Sequence, residues 1–143
     1  MSVKPIPDGY HTITPYLLVE GAADLITFLQ KGFDAVEIYR QTLPDGSVRH
    51  AEVRVGNSHT MISEAREGMS PMACMLYLYV EDVDATYQQA LAAGGQSLRD
   101  VVDEFYGDRV GGVQFAGVQF WIATHKEDLS PEEIGRRAAE QGR

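Results

Sequence analysis

Two stretches of this chain are spelled alike. TPYLLVEGAADLITFLQKGF (residues 14–33) and MLYLYVEDVDATYQQALAAGG (residues 75–95) each set a bulky run, then a Val-Glu or Val-Glu-Asp step, then a helical pattern with glycine near its end. Tyr16 and Tyr77, Leu17 and Leu78, Val19 and Val80, and Glu20 and Glu81 are each separated by 61 residues, and so are Gly56 and Gly117. One offset holding at two distant anchors marks a duplicated module. Duplication constrains the fold more than any local propensity does, because each half must satisfy the same architecture.

Each module reads as strand, helix and then three strands. ITPYLLV alternates and is bulky, which suits a strand. The helix that follows, about Ala22 to Lys31, places Leu25, Phe28 and Leu29 on one face, and Gly32 is suited to end it. AVEIYRQTL, SVRHAEVRVG and SHTMISEA then read as antiparallel strands, with Pro44-Asp45-Gly46 and Gly56-Asn57 as turns. In the second module the helix runs about Val83 to Ala93, followed by SLRDVVDEF, RVGGVQF and GVQFWIATH, with Ala116-Gly117 as the last turn. Ser130-Pro131-Glu132-Glu133 has the form of a capping box with proline at N1, so a short C-terminal helix is expected over about 130–141. The expected fold class is α+β, a single domain over residues 1–143. Its two βαβββ modules, about 10–66 and 72–128, form a curved mixed sheet around a cavity.

The net charge of −9 argues against a nucleic-acid partner, which needs a basic stripe. No apolar run approaches the ~20 residues of a membrane span. The N-terminal MSVKPIPDGYH lacks the apolar core of a signal peptide, so a cytoplasmic protein is expected. Cys74 is the single cysteine, which excludes disulfides and cysteine-based zinc sites, and its apolar strand suggests a buried, inert thiol.

The phrases ITPYLLVEG, RHAEVRVGNS, LYLYVEDVDA, EFYGDR and WIATHKEDLSPEE, occurring in this order, resemble the vicinal oxygen chelate superfamily (glyoxalase, bleomycin-resistance and dioxygenase proteins), and most closely its PhnB-like subgroup. The resemblance covers roughly residues 10–128. It implies a cup-shaped sheet around a cavity, commonly in a homodimer. It also implies four metal-ligand positions, one in the first and one in the last strand of each module. Those positions fall on Thr14, Met75, Thr60 and Trp121, with a one-residue slip to Met61 or Ile122. Thioether and indole are poor ligands for the divalent ions involved, so no metal and no cofactor is expected. Where many relatives carry an Asp-Pro-x-Gly turn, this chain has Phe115-Ala116-Gly117.

Alternation extends the inward face to Tyr16, Leu18, Tyr77, Tyr79, Ala123 and His125. Ile13, Leu17, Val19, Leu76, Leu78 and Val80 should then pack on the helices. The expected ligand-binding set is Thr14, Tyr16, Met75, Tyr77, Tyr106, Arg109 and Trp121, an aromatic and sulfur-rich wall for a small apolar or aromatic molecule. Arg109 either clamps an anionic group or makes a surface ion pair. RHAEVRV puts His50, Glu52 and Arg54 on one strand face; Glu52, with His50, is the candidate acid–base pair if the protein is an enzyme. A metal-dependent lyase or dioxygenase with a non-standard site, and a dimer whose pocket has collapsed, are the other readings. His11 should be exposed and His59 should point away from the cup.

Overall fold

A computed structural model describes residues 2–142. The chain order is β1 (Tyr16–Val19), α1 (Ala22–Phe33), β2 (Val36–Thr42), β3 (Val48–Val55), β4 (Ser58–Glu64), β5 (Cys74–Tyr79), α2 (Val83–Ala92), β6 (Gln96–Asp103), β7 (Asp108–Phe115), β8 (Val118–His125) and α3 (Pro131–Glu140). The fold is α+β, with two βαβββ modules and a short C-terminal helix. The curved surface is divided into two four-stranded sheets, β1-β4-β3-β2 and β5-β8-β7-β6. In each, the first strand lies parallel to the last and forms one edge.

The duplication shows in how the helices start. The Glu64 carboxylate, at the end of β4, accepts from the backbone N–H groups of Gly21 and Ala22 at 2.9 and 3.0 Å. In the second module the Thr124 hydroxyl, near the end of β8, accepts from the Val83 N–H at 2.8 Å, and Asp82 adds an N-cap bond to Ala85. Both devices satisfy donors that a helix N-terminus leaves unpaired. Ser130 likewise caps α3 by accepting from the Glu133 N–H, but Glu133 turns its carboxylate to Arg136 and the capping box is only half made.

One anchor of the repeat moves. Tyr16 pairs with Met61 and Tyr77 with Trp121, so the first strands keep an offset of 61 while the last strands are 60 apart. The hairpin partners agree, with Val55 opposite Ser58 and Phe115 opposite Val118. Gly56 therefore corresponds to Ala116, not to Gly117. Both are left-handed, at φ 58° and 52°. The lost residue falls behind the helix: α1 has 12 residues and α2 has 10.

The modules share one core. Leu17, Val19, Ala51, Val53 and Ile62 of the first sheet and Val113, Phe120 and Ile122 of the second belong to the same buried cluster as Leu25, Phe28 and Leu29 of α1. Phe28 stacks on Phe115 at 4.4 Å with the planes 3° apart, and meets Phe120 at 5.5 Å. The helices meet where a Cβ on Gly32 would lie 3.3 Å from the Ala90 backbone, so the close crossing uses the missing side chain. Each sheet thus spends one face on the common core and turns the other outward.

Several expectations need correcting. The first strand begins at Tyr16, so Ile13 is exposed instead of packed on the helices, and Thr14 lies before the strand, partly buried. Leu18 shares the outward side with Tyr16 yet is buried; the connection after β4 returns alongside β1 there, where Met72 donates its N–H to the Leu18 carbonyl. Ala123 is also buried, and Cys74 is only partly so.

Candidate functional site

The outward face of the first sheet carries a cross-strand row. Tyr16, Met61, Glu52 and Tyr39 are successive partners across β1, β4, β3 and β2. Glu52 accepts a short hydrogen bond from the Tyr10 hydroxyl, and His50 Nε2 lies 3.7 Å from its other oxygen. Burial, then the bond and charge of Glu52, push the Tyr10 phenol up to about 12. The Tyr16 hydroxyl lies 3.0 Å from Ser63 Oγ and 3.4 Å from His50 Nδ1. The structure thus brings His50 and Glu52 together and adds Tyr10, a neighbour the chain pattern did not disclose. Arg54 instead bonds the Gly56 carbonyl.

The second sheet carries a different surface. Met75, Tyr77 and Tyr79 alternate outward along the edge strand, at 62%, 42% and 64% exposure. Beside Tyr77 the Trp121 ring lies over Gly112, where an added Cβ would come within 2.8 Å of it. Arg99 stacks on that ring at 5.2 Å, and the indole N–H donates to Gln119. The glycine opposite the indole is what lets the large ring lie flat against the sheet.

The polar centre of this face is Asp108, 3% exposed. One of its oxygens accepts from the Tyr77 and Tyr79 hydroxyls at 2.7 and 2.8 Å, and the other faces His125 Nδ1 at 2.8 Å. The Tyr106 hydroxyl lies 3.2 Å from that of Tyr77. Burial pushes the Asp108 carboxyl up, but the bonds from His125, Tyr77 and Tyr79 outweigh it and hold the group below the usual carboxylate range. Asp108 and then Asp128 hold the His125 imidazolium above its ordinary value. Burial, then Tyr106 and Asp108, raise the Tyr77 phenol.

Asp108 was not among the residues expected from the sequence, although His125 had been placed on the inward face. The missed signal is an aspartate at the first position of a strand whose cross-strand partner is a histidine. Arg109, its neighbour, makes paired 2.9 Å bonds to Asp84 and one of 3.2 Å to Asp103. Its guanidinium therefore bridges α2 and β6 through carboxylates of the chain itself.

The metal-ligand positions implied by the resemblance hold Thr14, Met75, Trp121 and Thr60, with the register favouring Met61 over Thr60 as the counterpart of Trp121. This donor set does not fit a divalent ion. Among the described residues no group of three or more His, Cys, Asp or Glu is placed to hold one. No described helix is long and apolar enough to cross a membrane. A cleft of about 620 Å³ lies behind β5, on its helix side, between Leu29, Phe33, His59, Leu76, Leu78 and Phe120. Tyr77 and Tyr79 of β5 also line it. His59 meets Tyr10 edge-on, and His11 is exposed.

This arrangement has known counterparts. An uncharacterised protein of Mycobacterium tuberculosis is 32% identical over 142 residues, covering 91% of this chain and 84% of its own length. Among solved structures, TioX from Micromonospora sp. ML1 superimposes with a TM-score of 0.65 at 20% identity, over 79% of this chain and 98% of that one. The PhnB protein of Bacillus cereus gives 0.62 at 20% identity, over 80% and 99%. The model of the Glyoxalase/Bleomycin resistance protein/Dioxygenase superfamily matches residues 10–116. With the paired βαβββ modules, that match means the chain belongs to this superfamily.

Proposed function

We propose that this protein binds a small, flat, partly apolar molecule on the aromatic face of its sheets, as a homodimer that completes the cup. The carrying observation is the outward row Met75, Tyr77 and Tyr79 beside the flat Trp121 ring. Aromatic and thioether surface of this kind gains by stacking and by removal from water. The edges support the dimer. β1 and β5 are edge strands of their sheets, β1 meeting, among the described residues, only the Met72 N–H on the side away from β4, and both open faces turn away from the shared core. Module one of one protomer set beside module two of another would cover these edges and enclose the face. Titration with 2-naphthylmethanol should quench Trp121 emission saturably, and the protein should sediment at twice the chain mass. A linear, unsaturable response would refute binding, and a monomer at all concentrations would refute the assembly.

A metal-free acid–base enzyme is the second reading, favoured by the Tyr10–Glu52–His50 cluster. It rests on Glu52 moving a proton, with His50 beside it. Glu52→Gln should then abolish turnover while leaving 2-naphthylmethanol affinity within about 2-fold, since roughly 0.4 kcal/mol or less of binding is at stake. A variant of full activity would remove Glu52 from any mechanism.

A further inference from the structure

Resting on the aromatic-face reading above, we infer that the Asp108–His125 pair is an anchor for the carboxylate of a flat ligand, and that Asp128 occupies the anchor when no ligand is bound. The two nitrogens of one ring face two different carboxylates. His125 Nδ1 lies 2.8 Å from Asp108 and Nε2 lies 2.7 Å from Asp128. A neutral imidazole carries one N–H and can donate to only one of two carboxylates, so the geometry suits the doubly protonated ring.

The two carboxylates differ in kind. Asp108 is buried and receives three hydrogen bonds from β5 and β8, which makes it part of the scaffold. The Asp128 side chain is fully exposed, and among the described residues its one ion pair is with His125. Around it, the backbone N–H groups of Lys126 and Glu127 are both bonded to the Gly107 carbonyl. That pins the connection while leaving the Asp128 side chain free to swing out. An exposed ion pair of this kind is worth little, so a competing carboxylate can take its place.

Position supplies the rest. The Tyr79 ring stands edge-on to His125 at 6.5 Å and to Tyr77 at 5.3 Å. A flat body stacked on the exposed Tyr79 ring lies beside His125 and can present a terminal carboxylate toward Nε2. Exchanging one carboxylate for another leaves the charge at the imidazolium unchanged. The groups facing His125 are Asp108 from β7, Asp128 from its own connection and the Tyr79 ring from β5. The ligand class is thus a small aromatic monocarboxylate.

The test compares 2-naphthoate with uncharged 2-naphthylmethanol by calorimetry on the intact protein. At about pH 6 the carboxylate should bind more tightly, and the preference should fade as pH rises through the raised His125 titration and the imidazolium is lost. Asp128→Asn should tighten 2-naphthoate alone by roughly 2- to 5-fold, the factor an exposed ion pair is worth. His125→Gln should bring the two compounds to near parity. Equal affinity for both in the unaltered protein, or an Asp128→Asn variant that leaves 2-naphthoate unmoved, overturns the anchor and leaves the aromatic-face reading standing. Failure of both compounds to bind overturns the two together.

Discussion

Replacing Asp108 by Asn tests the charge at the centre of the second sheet with almost no change of shape. The carboxylate accepts from Tyr77, Tyr79 and His125 within 2.7–2.8 Å. An amide can keep all three contacts: its oxygen accepts from the two phenols, and its NH₂ donates to a neutral His125 whose proton has moved to Nε2. What is lost is charge assistance, about 1 kcal/mol for each bond that drops from the charged to the neutral class. What is regained is part of the desolvation cost of a buried carboxylate, so the net destabilisation should be about 1–2 kcal/mol near neutral pH. The sign with pH follows from the depressed folded value. Stability from Asp108 is fully present above the unfolded carboxyl value near ~3.9 and is lost as pH falls through the folded one. The gap between the two proteins in urea titrations should therefore be widest above about pH 5 and shrink in acid. The histidine gives a second reading. With its largest supporting partner gone, the His125 titration followed by NMR should fall toward the ordinary value, though Asp128 still holds it partly up. A stability gap independent of pH together with an unmoved His125 titration would refute the account of Asp108 as an ionised hub.

Two further substitutions probe the scaffold. Phe28→Ala removes the ring that joins α1 to Phe115 and Phe120, and should cost about 3–5 kcal/mol, with the parent unfolding in one cooperative transition; two separated transitions in the parent would show that the modules do not share a core. Ala116→Gly relieves a left-handed alanine at φ 52° and should raise stability by about 0.5–1 kcal/mol in thermal or urea unfolding; a loss would mean that the Ala116 methyl packs more usefully than its backbone is strained.

Much of the scaffold was legible in the chain because it rests on periodicity and on turn chemistry. The alternation of β5, the apolar face of α1, the Ser130 cap and both hairpin turns appear where local physics puts them. Legibility failed where the determinant is non-local. Leu18 obeys the alternation yet is buried, where the connection after β4 returns alongside β1. Thr14 and Ile13 read as strand, yet β4 offers partners to β1 only from Met61 onward. The Gly56–Gly117 anchor failed for a subtler reason: a glycine is expected at a left-handed turn position, and the second hairpin puts Ala116 there. Arg109 was identified as a residue that must find anions, but which anions depended on Asp84 and Asp103 arriving from two other elements.

The two halves then diverge at equivalent places. Tyr16 and Tyr77 occupy the same position, on strands that pair alike with β4 and β8. By the offset of 60 that relates the later strands, Asp108 stands where the first module has Val48, and both are buried. In the first module the Tyr16 hydroxyl meets only Ser63 and His50, while in the second a buried carboxylate collects Tyr77, Tyr79 and His125. Packing alone does not call for that exchange, because a buried valine serves the duplicated fold equally well and avoids desolvating a charge. The fold tolerates the aspartate because a histidine pairs with it across the sheet and two tyrosines reach down to it. Each of those partners also shows a second side to the open face. A group that is costly to bury is thus fully satisfied from behind and presented to the open face through an imidazolium, the arrangement on which the proposed carboxylate anchor rests.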